Sequence, residues 1–95
     1  MLTVSEIIST VTPILRYHGV KEAKLFGSFA KGCATEQSDI DLYVDSGLRG
    51  LQFYGLLGDV CDAFPIPVDL FDKRMLVRNP EFQDEIFNTG VDLLL

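Results

Sequence analysis

The chain has no apolar run approaching the 18–20 residues that a bilayer crossing requires, so a transmembrane helix is excluded. It has no positive charge ahead of an apolar block in Met1–Glu6, so a secretory leader is not expected and a cytoplasmic setting is. It has only two cysteines, Cys33 and Cys61, with no CxxC spacing and no nearby histidine. Neither a zinc site nor a redox pair is therefore indicated, and both thiols are expected to be reduced. There is no internal repeat, no low-complexity tract and no linker, so residues 1–95 read as one small domain. Basic residues are scarce: the net charge is −6, split as +2 over residues 1–35 and −8 over residues 36–95. Such a chain makes a poor general binder of nucleic acid, which needs clustered Lys and Arg. It can still take a phosphorylated ligand if metal ions bridge the two negative partners.

What is present is an ordinary globular pattern, with 47% hydrophobic and 23% charged residues, which excludes disorder. Thr3 and Glu6 have capping-box spacing, and Val4, Ile7, Ile8, Val11, Ile14 and Leu15 recur at helical intervals. Pro13 is expected to bend or end that helix, and Gly19 to stop it. Residues 22–26 read as a strand running into Gly27, and 28–32 as a turn with a short helical piece. From Asp39 to Asp45 the chain alternates, Ile40, Leu42 and Val44 one way and Asp39, Asp41, Tyr43 and Asp45 the other. Leu51–Phe64 is an amphipathic helix, ended by Pro65 and Pro67 before a strand over 68–72. Pro80 opens a last helix through about Asn88, Gly90 caps it, and 91–95 forms a final strand. This alternation predicts an α/β fold, a mixed sheet with helices packed against it.

Chemistry concentrates in two stretches. Gly27-Ser28 places a glycine at a strand end and a hydroxyl at the start of a helical turn, where backbone N–H groups can face a phosphate. Asp39 and Asp41, two positions apart on a strand, hold like charges about 6.5–7 Å apart on one face. Solvent or a divalent cation must offset them. Asp69, between Val68 and Leu70, is a third carboxylate on a strand otherwise built for burial. If the two strands pair, the three converge with the ligand count of a site for two Mg²⁺ ions about 3.5–4 Å apart.

Gly27-Ser28, ten intervening residues, then Asp39-x-Asp41, and later Val68-Asp69-Leu70, resemble the minimal nucleotidyltransferase branch of the polymerase-beta superfamily. Gly32 and Ser38 also fit, and the resemblance spans roughly residues 5–95. It implies that Asp39, Asp41 and Asp69 are metal ligands, with Asp69 also the base for an acceptor hydroxyl. It implies that Gly27 and Ser28 hold the β- and γ-phosphates of a nucleoside triphosphate, with Lys31 in reach of them. The reaction implied is transfer of AMP from ATP to a hydroxyl, with release of pyrophosphate. Small members of this type resemble antitoxins that inactivate a HEPN-domain partner by attaching AMP to a tyrosine.

Two other functions stay open at this point: a non-catalytic module that neutralises a partner by contact, and transfer to a small molecule such as an aminoglycoside. A homo-oligomer is also left open. Of the remaining residues, Lys73, Arg74 and Arg78 read as a solvated basic face and Asp45 as a strand-end carboxylate. His18 is expected to meet free carbonyls at a helix end, and Tyr17, Tyr43 and Tyr54 to be partly buried packing.

Overall fold

A computed structural model describes residues 2–78 and 80–95. Among the described residues, four α-helices and four strands follow one another in chain order, α1 (Val4–Tyr17), β1 (Glu22–Phe26), α2 (Gly27–Lys31), β2 (Ile40–Asp45), α3 (Leu51–Asp62), β3 (Val68–Asp72), α4 (Glu81–Thr89) and β4 (Val91–Leu93). A 3₁₀ turn over Lys73–Val77, absent from the sequence reading, joins β3 to α4. The predicted alternation is present, with ends shifted by one or two residues.

α1 opens on the capping box, since the Thr3 hydroxyl accepts from the Glu6 N–H while the Glu6 carboxylate accepts from the Thr3 N–H. Of the two expectations for Pro13, a bend or an end, the end does not occur, since α1 runs on to Tyr17. Pro13 lies inside α1 on the exposed side, where the carbonyl its ring leaves unpaired can face water. Gly90 does stop α4, although its φ of −71° needs no glycine; the reason is space, because a Cβ there would stand 2.2 Å from the Ile86 carbonyl oxygen.

The sheet order is β3-β2-β1-β4. β1 pairs antiparallel with β2 and with β4, while β2 and β3 run parallel with α3 as the crossover. One face carries Ala23, Leu25, Ile40, Leu42, Val44, Val68 and Leu70 against Ile7, Val11 and Leu15 of α1 and Phe53, Leu56 and Val60 of α3. The opposite face carries Phe26 and Tyr43, packed with Leu76 of the 3₁₀ turn and Ile86 of α4 into a second, smaller core. Phe71 and Phe82 extend it through tilted ring contacts with Phe26. Among the described residues, no helix is long and apolar enough to cross a membrane.

Candidate active site

The parallel pairing of β2 with β3 sets the site. Its register puts Asp41 directly beside Asp69, with Cα atoms about 4.8 Å apart, the spacing between neighbouring strands. The antiparallel register of β1 puts Phe26 opposite Asp41, so the chain turns into α2 at Gly27 right against that carboxylate. Gly27 has φ +75°, the left-handed region, and a Cβ at this position would fall 2.1 Å from Asp41 Oδ2. The glycine therefore admits a carboxylate of the same chain as well as keeping the backbone bare. Asp39 stands just before β2 and is exposed, as is Asp69, while Asp41 is half-buried.

This crowding has an electrostatic cost. Burial pushes the Asp41 carboxyl up to about 6, with Asp69, Asp39 and Glu85 adding like-charge repulsion. Among the described residues, no three acidic, His or Cys side chains are gathered tightly enough to enclose an ion as they stand. The arrangement is a close pair, Asp41 and Asp69, with Asp39 alongside.

Ser28 is the second residue of α2, and no side chain caps that helix at Phe26. Lys31, in the last turn of α2, extends its Nζ to Glu85 Oε1 of α4 at 2.8 Å. That hydrogen bond and the Glu85 charge hold the Lys31 ammonium above its usual pKa. Glu85 escaped the sequence reading. It lies in a helix of ordinary polar pattern, and only the packing of α4 over the sheet brings it to Asp41 and Lys31.

Other residues settle differently from expectation. His18 does not face free carbonyls; its Nε2 meets Asp59 Oδ2 of α3 at 2.7 Å. Tyr17 and Tyr54 are exposed, at 85% and 67%, whereas Tyr43 is fully buried in the second core. Arg74 is exposed, as the solvated basic face required, yet it is also engaged: it pairs with Asp72 at 3.5 Å, donates to the Leu48 carbonyl and lies over the Phe53 ring. Asp72 itself is buried and accepts from the Ser46 and Lys73 N–H groups, tying the ends of β2 and β3 together.

Comparison with known proteins gives a consistent picture. The family described as polymerase beta, nucleotidyltransferase, matches residues 9–94. A protein of Methanocaldococcus jannaschii named "Putative protein adenylyltransferase MJ0435" is 34% identical over 95 residues, covering 98% of this chain and 100% of its own length. A second from the same organism, "Putative protein adenylyltransferase MJ0128", is 35% identical over 89 residues, covering 83% of this chain and 90% of its own. Among solved structures, a chain in a crystal structure of a toxin–antitoxin with AMP-PNP superposes with a TM-score of 0.77 at 24% identity. A chain of the toxin–antitoxin MntA-HpeT, in a mutant with two Asp-to-Glu changes, superposes with a TM-score of 0.76 at 22% identity. Each match covers 92% of this chain and 72% of the other, and at these identities the likeness is one of fold.

Proposed function

This chain belongs to the polymerase beta nucleotidyltransferase family, and from that membership we propose that it transfers AMP from ATP to a hydroxyl of a partner protein. The family and the adenylyltransferase relatives make it an enzyme of nucleotidyl transfer acting on a nucleotide substrate. The observation that carries the finer reading is the register that sets Asp69 beside Asp41 at the Gly27 turn.

The donor set suits Mg²⁺, which takes carboxylate oxygens, and the register that sets Asp41 beside Asp69 brings two such donors together. Asp39, Asp41 and Asp69 would hold the metal. When bound, Mg²⁺ offsets charge on the phosphates and makes an acceptor hydroxyl easier to deprotonate. The bare backbone at Gly27 and the uncapped start of α2 at Ser28 suit the β- and γ-phosphates. Lys31, half-exposed at the end of α2, adds a positive charge beside them. The acceptor oxygen bonds to the α-phosphorus, the bond to the β-phosphate oxygen breaks, and pyrophosphate leaves. Asp69, exposed next to Asp41, takes the acceptor proton.

We read residues 1–95 as one nucleotidyltransferase domain working in the cytoplasm, and the acceptor as a tyrosine of a HEPN-type partner in an antitoxin-like role. The protein adenylyltransferase relatives and the toxin–antitoxin setting of the two solved structures support a protein acceptor. The test is incubation with α-labelled ATP, Mg²⁺ and the protein encoded by the neighbouring gene. Label should appear on the partner and fall about 10²–10³-fold with Asp41→Asn, as when a group stabilising transition-state charge is removed. Label on an aminoglycoside instead, or an unchanged rate in the variant, would refute the reading.

A further inference from the structure

Glu85 takes no part in the transfer described above, yet the packing of α4 turns it toward the site. Its neighbours on that helix are seated in the second core. Ile86 is fully buried with Phe26, and the Phe82 ring, three positions back, stands 6.4 Å from the Phe26 ring. Phe26 is the register partner of Asp41 across β1 and β2, and it leads straight into Gly27. Glu85 is thus anchored over the strand end where the Gly-Ser turn meets the aspartates, and its charge is felt at Asp41. A carboxylate in that place works against an anionic ligand unless it serves a cation.

The cation it serves is Lys31. Ser28 and Lys31 stand three apart on α2 and so share one side of it. The Lys31 ammonium is held by Glu85 at 2.8 Å and makes no ion pair with Asp39, Asp41 or Asp69 among the described residues. A lysine on a flexible four-carbon stem, set beside three carboxylates and left without a partner, is drawn onto them. There it would occupy the oxygens that a metal needs and lie away from the phosphates. Glu85 offers a competing partner, from a helix fixed by its own apolar side. The pair is partly exposed, Lys31 at 46% and Glu85 at 29%, and ion pairs of that kind add little to stability. Its main consequence is where the ammonium sits.

Resting on the nucleotidyl-transfer reading, we propose that Glu85 is a positioning residue that holds Lys31 off the metal-binding carboxylates and poised for the phosphates of the nucleotide. Glu85 acts only through Lys31 and touches neither nucleotide nor acceptor. Removal of its charge then has a telling sign. By charge repulsion alone, losing a carboxylate near a bound triphosphate tightens binding. A positioning role predicts weaker binding, and only while Lys31 is present.

The test is calorimetric titration of AMP-PNP with Mg²⁺ into the parent chain, E85Q, K31A and the double variant K31A/E85Q. K31A should weaken binding about 10-fold, the worth of one charge-assisted hydrogen bond. E85Q, which keeps the side chain's shape and loses its charge, should weaken it about 5-fold. In the K31A background the same change should cause no loss, because a residue acting through another has nothing left to act on. Melting temperatures of E85Q and the parent should agree to about 2 °C. Tighter or unchanged binding in E85Q, or equal losses with and without Lys31, would overturn the proposal and leave nucleotidyl transfer standing. A melting temperature lowered by several degrees in E85Q would make the bridge a structural one and overturn it too. A parent chain that binds no AMP-PNP would overturn the nucleotidyl-transfer reading and the proposal with it.

Discussion

The two faces of the sheet are built from the same strands yet obey different rules. Toward α1 and α3, the inward residues Leu25, Ile40, Leu42 and Val44 are fully buried in a cluster made of hydrophobic side chains. Toward α4, the alternate residues are Phe26, Asp41, Tyr43, Asp45, Asp69 and Phe71, so aromatic packing is interrupted by carboxylates. The small core of Phe26, Tyr43, Leu76 and Ile86 abuts the carboxylate cluster, Phe26 being the register partner of Asp41. The comparison teaches that the first face supplies stability while the second gives some of it up to hold like charges in one place. Natural active sites carry that kind of local cost because their groups are arranged for a bound ligand rather than for the empty fold.

Substitutions can break this contrast in either direction. Leu56 of α3 is fully buried on the aliphatic face, and Leu56→Ala should lower stability by about 3 kcal/mol through lost burial and a residual cavity. Urea unfolding measures it, and a loss under about 1 kcal/mol would mean that α3 collapses readily onto the sheet. Gly27→Ala should cost about 2 kcal/mol, from a left-handed φ of +75° and a Cβ driven into Asp41. Its signature is partial recovery when Asp41→Ala is added, since that removes the collision and leaves only the backbone strain; additive losses would contradict the geometry.

Asp41→Asn is the smallest effect and the most telling, because it should stabilise the protein free of metal. The folded-state pKa of about 6 lies above the ordinary 3.8, so the native state holds that proton more tightly than the unfolded chain does. The contribution is present below pH 4 and is lost as pH rises through 6, the ionised form being the costly one. Two pKa units correspond to about 3 kcal/mol, which solvent screening of a half-exposed group reduces to about 1 kcal/mol. Denaturant curves should therefore show the variant more stable than the parent by about 1 kcal/mol at pH 7 and nearly equal at pH 4. A variant less stable at pH 7 would show that Asp41 serves the fold.

Much of this was legible from the residues in order. The Thr3–Glu6 capping box, the strict alternation from Ile40 to Asp45 and the glycine at position 27 are local signals, set by hydrogen-bond geometry and side-chain period. They located the strands and the aspartates correctly. They could not show Glu85 beside Asp41 and Lys31, or His18 against Asp59, because each involves elements far apart in the chain. Nor could they choose between a bend and an end at Pro13: whether an unpaired carbonyl ends a helix depends on whether water can reach it, and that is a property of the packed molecule.

The sequence by itself determined the elements, their apolar stripes and the presence of a Gly-Ser turn, an Asp-x-Asp strand and a third aspartate. Short-range periodicity and turn chemistry suffice for these. Only the tertiary structure decided that β3 lies parallel to β2 in the register that sets Asp69 against Asp41, and that α4 closes over the far side. Strand order and register come from burying both sheet faces at once, a constraint on the whole chain that no single segment carries.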